Sequence, residues 1–171
     1  MSADLNLSFE KLFGGDKSAF SDIYEELKAP VYTVIYRITG QKELSEDLTA
    51  DVFLKIFSLP PDSSIENKKA YVFKIARNLT IDALRKKQNV SLDDVEIAEK
   101  KLIDDTIERM DIEEAMKRIT YEQRSILALH IIGGLGFKEI SEITGLSVPS
   151  VFRRYHKALK SLQSILSGGV L

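Results

Sequence analysis

GFKEISEITGLSVPSVFRRYHKALKSL, residues 136–162, decides the fold of the C-terminal third. Phe137, Ile140 and Ile143 recur at helical spacing. Gly145-Leu146-Ser147 breaks the run, and Val148, Val151, Tyr155, Leu159 and Leu162 resume it. Two short helices joined through a glycine-containing turn form a helix-turn-helix, whose second helix fits the DNA major groove. The spacing predicts helices over 137–144 and 148–166. Ser147 is the expected N-cap, because its hydroxyl can accept a bond from an orphan N–H of the first turn. Pro149 falls in that turn, where a missing N–H costs little. Between Ser147 and Gln163 stand Arg153, Arg154, Lys157 and Lys160 with no Asp or Glu, a local charge of +4. Pro149, Ser150, Arg153, Arg154 and Lys157 are the candidate groove-facing residues. A solvated basic face on an amphipathic helix is the plainer reading of the same pattern.

Outward from this segment, composition sets bounds. A chain of 171 residues suits one large domain or two small ones. Apolar residues make up 44% and charged residues 29%, enough for buried cores under a polar surface. The absence of cysteine excludes disulfides, Cys-based zinc sites and thiol redox sensing, and fits a cytoplasmic protein. Residues 1–9 carry no Lys or Arg and no apolar stretch, so no signal peptide is expected. Nothing approaches the roughly 20 apolar residues of a bilayer span, so no direct membrane insertion is expected. The chain as a whole carries a net charge of −2, which reads against nucleic-acid binding until its distribution is considered. Residues 74–87 hold five cations and one acid, residues 147–163 four cations and no acid, and residues 88–108 seven acids and two lysines. Two cationic helices are thus separated by an anionic stretch.

The periodicity predicts an all-α protein of two small helical domains, 1–87 and 111–171, joined by an acidic linker over 88–110, the C-terminal one a helix-turn-helix. In the first domain, helices are expected over 16–28 and 31–39, divided at Ala29-Pro30 because the residue before proline avoids the helical region. Further helices are expected over 43–57 and 69–87, with a Pro- and Ser-rich loop at 58–64. In the second, two more precede the helix-turn-helix, over 111–119 and 122–132, the latter capped by Thr120. A short helix over 95–102 is optional, and the tail from Ser167 is expected to fray.

The other cationic segment, 71–87, reads YVFKIARNLTIDALRKK. Val72, Ile75, Ala76, Leu79 and Ala83 form one face, and Lys74, Arg77, Asn78, Asp82 and Arg85 the other. Lys and Arg there can bind phosphates and Asn78 can pair with a base edge. Arg85, Lys86 and Lys87 equally complement the dipole of their own helix end.

YVFKIARNLTIDALRKK closely resembles the promoter-reading helix of bacterial sigma factors of the extracytoplasmic-function group. EDLTADVFLKIF, residues 46–57, resembles that group's polymerase-binding helix, and residues 120–162 resemble its C-terminal promoter-binding domain. Three motifs in the family's order make the resemblance specific. It implies a protein that directs core RNA polymerase to specific promoters. The N-terminal domain would bind core polymerase and open and read the −10 element. The C-terminal domain would read the −35 element, and an anti-sigma factor would be a partner. By position, Asp47, Leu48, Asp51 and Phe53 fall in the polymerase-binding motif, the acids facing the partner and Leu48 partly in the core. Lys74, Arg77, Asn78, Arg85, Lys86 and Lys87 fall in the −10 helix, and Ser150, Phe152, Arg153, Arg154 and Lys157 in the −35 helix. Ser63 and Asn67 lie in the loop where relatives catch a flipped base, an event costing a few kcal/mol. The protein would work in the cytoplasm on the nucleoid, or be held at the inner membrane by its anti-sigma factor.

The chain departs from the family pattern at three places. Phe152 stands where relatives are usually basic, Pro149 where they carry Gly, and Gly136 where they often carry a Ser cap. Phe152 then either touches a thymine methyl or packs against Ile132 or the neighbouring domain. His130 reads as a half-buried structural residue. No nucleophile–base pair, Gly-rich phosphate loop or metal cluster is legible, so neither catalysis, a cofactor nor a small-molecule substrate is expected. A stand-alone helix-turn-helix regulator with a helical sensor or dimerisation domain is the alternative. It leaves the acidic stretch at 46–51 and the basic helix at 74–87 without a purpose. A sigma mimic that only sequesters an anti-sigma factor should have lost its basic faces.

Overall fold

Residues 3–61, 63–88 and 112–168 are described by a computed structural model, in which every regular element is helical. The expected linker helix over 95–102 and the last three residues lie outside them.

The N-terminal unit opens with a helix the sequence reading did not place, α1 (Ala3–Phe13). Leu5, Phe9, Leu12 and Phe13 recur at i, i+4, i+7 and i+8 and are all buried. A single 3₁₀ turn, capped by the Asp16 carboxylate accepting the Ser18 N–H at 3.0 Å, leads into α2 (Phe20–Thr39). The expected break at Ala29-Pro30 is absent: α2 runs through Pro30 without interruption. A proline inside a helix costs ~3 kcal/mol or more through the lost N–H and the clash with the preceding turn. Leu27, Val31, Val34 and Ile35, all at or near zero exposure, flank it on the inner face, and that packing overrides the local preference. α3 (Lys42–Phe57) buries Leu48, Val52, Phe53 and Ile56, and α4 (Lys68–Gln88) buries Val72, Phe73, Ala76 and Thr80. Asn67 caps α4, its Oδ1 accepting the Ala70 N–H at 3.0 Å.

The C-terminal unit comprises α5 (Ile112–Lys117), α6 (Tyr121–Ile131), α7 (Phe137–Thr144) and α8 (Val148–Leu166). Thr120 caps α6 as expected, in a reciprocal pair. Its Oγ1 accepts the Gln123 N–H at 3.2 Å, and Gln123 Oε1 accepts the Thr120 N–H at 3.0 Å. Gly145 ends α7 in the left-handed region at φ +75°, where a side chain would be strained, and its N–H reaches Ser141 O at 2.9 Å. Ser147 caps α8 by accepting the Ser150 N–H at 3.4 Å. The bounds of α7 and α8 coincide with those the spacing predicts.

The two units pack directly on each other, α2 against α6 and α4 against α7. One contiguous buried cluster runs from Leu5 and Phe9 through Val31, Val34 and Ile38 to Ile126, Leu129, Ile140 and Val151. A smaller one, Met116, Ile119, Leu127 and Ala158, lies wholly within the C-terminal unit.

Candidate nucleic-acid interface

Two rows of cations face outward. On α4, Lys74, Asn78, Arg85, Lys86 and Lys87 are exposed because Val72, Phe73, Ala76 and Thr80 turn the opposite face into the core. Lys87 Nζ reaches back to donate to Gln41 Oε1. Arg77 departs from its row. It is half-buried in the seam between the units, and its Nε–H donates to Ser125 Oγ on α6 at 3.2 Å. Burial there pushes the guanidinium pKa down from its ordinary value. Nearby Tyr121 and Glu122 oppose this shift and Arg85 adds to it. An arginine remains charged under such a shift.

Asn67 also lies at the seam. Besides capping α4, it donates through Nδ2 to Glu139 Oε1 on α7. Glu139 Oε2 in turn accepts the Gly136 N–H at 2.6 Å, so Glu139 supplies half a capping box for a residue without a side chain to complete it. At Gly134, φ +66°, an added Cβ would stand 3.2 Å from Lys69 Nζ of the other unit. Tyr36 Oη donates to Glu113 Oε1 at 3.4 Å on a third edge of the contact.

On α8, Arg153 and Lys157 are exposed, and Ser150 and Arg154 half-buried. Arg153 Nη2 donates to Ser150 Oγ at 3.2 Å. Arg154 is ion-paired with Glu122 on α6, so part of its role is to tie α8 to its neighbour. Phe152 remains 49% exposed, with its ring edge-on to Phe137 at 5.7 Å and to His156 at 4.3 Å between centroids. His130 holds the structural place expected of it. Its ring stacks on Phe137 at 4.8 Å, and its Nδ1 lies 2.7 Å from Leu135 O, which can only accept.

On α3 the expected partner-facing residues divide. Asp47 and Asp51 are exposed, whereas Leu48 is 6% and Phe53 3% exposed. Leu48 and Phe53 therefore anchor the helix from inside and hold the acids outward. The sequence reading missed Leu54, 62% exposed, which continues the Asp47–Asp51 stripe at i+3. Phe57, 41% exposed under Lys17 Nζ at 4.8 Å, lies one turn further on. An apolar residue in phase with surface acids was the available signal.

An all-helical pair of units with outward cationic helices, one of them in a helix-turn-helix, defines a DNA-reading protein. Comparison with known proteins narrows the class. Residues 23–90 match the Sigma-70 region 2 family and residues 109–162 the Sigma-70 region 4 family. The chain is 28% identical over 171 residues to the ECF RNA polymerase sigma factor SigW of Bacillus subtilis, covering 89% of this chain and 91% of that one. It is 26% identical over 180 residues to SigK of Mycobacterium tuberculosis, covering 97% and 95%. Among solved structures, CnrH in complex with the cytosolic domain of CnrY aligns with a TM-score of 0.70 at 18% identity, over 99% of this chain and 100% of that one. RpoE in complex with the anti-sigma factor NepR from Bartonella quintana aligns at 0.69 and 20% identity, over 86% and 96%. The chain belongs to the sigma-70 family, in its extracytoplasmic-function group. Sigma factors bind core RNA polymerase and promoter DNA and act as initiation factors, not as catalysts. No described helix is long and apolar enough to cross a membrane.

Proposed function

We propose that residues 1–87 bind core polymerase and the −10 element, that 111–171 bind the −35 element, and that 88–110 connect them. On this reading Asp47 and Asp51 meet a basic surface of core polymerase, with Leu54 supplying apolar contact beside them. Lys74, Asn78, Arg85, Lys86 and Lys87 track the −10 strand, and Arg77 joins them once the units part. Ser150, Arg153 and Lys157 contact the −35 duplex, with Arg154 positioned through Glu122. The single observation that carries the reading is that two outward cationic helices belong to different units of one chain. One rigid helix-turn-helix would need only one of them. Neutralising phosphates along both supplies the energy to hold opened DNA, so binding should fall steeply with salt.

The protein acts in the cytoplasm, and an anti-sigma factor, tethered at the inner membrane or free, is its proposed regulator. The aligned structure of the sigma factor RpoE in complex with the anti-sigma factor NepR supports that reading. Run-off transcription with purified core polymerase tests the central claim. The chain should confer initiation at a defined start site, and failure to associate with core at low salt would overturn it.

A further inference from the structure

We infer that Phe152 reads the 5-methyl group of a thymine in the −35 duplex, as a specificity determinant built into the outer face of α8. This rests on the reading of α8 as the −35 helix and adds what that helix selects. Val151 and Ala158, both fully buried, mark the inner side of α8. At 100° per residue, Val148, Pro149, Phe152 and His156 share one flank of the outer side, while Arg153, Lys157 and Lys160 occupy the other. The helix thus presents an apolar ridge beside a cationic one. Phe152 is the fifth residue of α8, within the N-terminal part that contacts base edges in helix-turn-helix proteins.

The ring is exposed, yet it is held on two sides by Phe137, the first residue of α7, and by His156 one turn on. A side chain already fixed by its neighbours loses little freedom on binding. Among the described residues the cross-unit side-chain bonds run through Glu113, Ser125 and Glu139, on α5, α6 and α7, and α8 joins the shared core through Val151 on its inner side. Among the described residues the Phe152 ring meets only the Phe137 and His156 rings and keeps its outer side open, on a helix with no acid from Ser147 to Gln163. That charge favours a polyanion over the apolar face of a protein. In the major groove, the apolar group a phenyl ring can contact is the thymine methyl, because the other base edges present donors and acceptors.

The experiment uses the full chain bound to core polymerase. Duplexes are selected by this holoenzyme from a randomised library, then resynthesised with each thymine in turn replaced by deoxyuridine, which removes only the methyl. The wild type should lose about three- to five-fold in affinity at one or two positions, the worth of one buried methyl. Phe152→Ala should bind thymine and deoxyuridine duplexes alike. Phe152→Arg should bind at least as tightly overall through phosphates while also losing the distinction. The inference is overturned if the selected site holds no thymine, if the wild type tolerates deoxyuridine everywhere, or if Phe152→Ala keeps the wild-type profile. The last result would assign the ring to a protein contact instead. Failure to select any duplex would overturn the −35 reading itself, and the inference with it.

Discussion

Arg77 on α4 donates its Nε–H to the Oγ of Ser125 on α6, 3.2 Å away, joining a candidate −10 contact to a fully buried residue of the C-terminal unit. While that bond stands, the half-buried guanidinium is engaged in the seam. On the proposed reading, Arg77 turns to DNA as the units separate.

Ser125→Ala deletes the acceptor and leaves the Arg77 N–H in a desolvated place. A buried donor left unpaired costs about 1–3 kcal/mol. The urea midpoint of the free chain should fall accordingly. Initiation by saturated holoenzyme should be unchanged, since Arg77 then faces DNA. An unaltered midpoint would show that the bond contributes nothing to the packed arrangement.

Asn67 separates two roles that one substitution can split. Asn67→Asp keeps an oxygen to cap α4 but loses the donor to Glu139 and sets two carboxylates against each other. The cysteine-free chain accepts a single introduced cysteine in each unit, so energy transfer between attached dyes reports their separation. The mean distance should lengthen in low salt and recover in high salt, which screens the repulsion. Asn67→Ala should instead cost about 1 kcal/mol of stability at any salt, the worth of the cap.

Arg153 and Arg154 are neighbours with different expected effects. Arg153→Ala should weaken −35 binding and lower the slope of log affinity against log salt by roughly one, as for a lost phosphate contact. Arg154→Ala should affect the slope less, because Arg154 already has Glu122 as a partner. With that arginine 43% exposed, the pair is worth no more than about 1 kcal/mol of stability. Equal slopes for both variants would place Arg154 on the DNA and reject its role as a tie.

Asp47 and Asp51 are exposed on α3, so Asp47→Asn with Asp51→Asn should leave thermal unfolding unchanged. Affinity for core polymerase should fall by roughly ten-fold, with a weaker salt dependence than wild type. Unchanged affinity for core polymerase in a variant that unfolds at the wild-type temperature would reject the assignment of this face. Leu54→Ala should lower core affinity without altering its salt dependence.

The sequence was most legible where local signals agreed. In α7 and α8 the apolar period, the Gly145 turn and the Ser147 cap all point the same way, and their bounds come out unshifted. Thr120 was legible for the same reason. The sequence misled at Pro30, where a local rule met a face buried on both sides of the proline. It stayed silent at α1, whose apolar residues are in phase but diluted by polar ones. The outward rows on α4 and α8 followed from helical period alone, apart from Arg77 and the half-buried Ser150 and Arg154. The place of Arg77 in the seam, like that of Asn67 against Glu139, depends on which helices meet across the chain. No period in either segment encodes that meeting.

The shared apolar cluster bears on how such proteins can be recombined. On the proposed division of labour each unit reads its own DNA element, so exchanging the −35 reader between relatives looks like a simple graft. Yet Ile126 and Leu129 of that reader are covered in common with Val31, Val34 and Ile38 of its companion. A transplanted C-terminal half would arrive with a contact surface shaped for a different host. The chimera's solubility in the absence of polymerase would then depend on how well two unrelated hydrophobic faces happen to match.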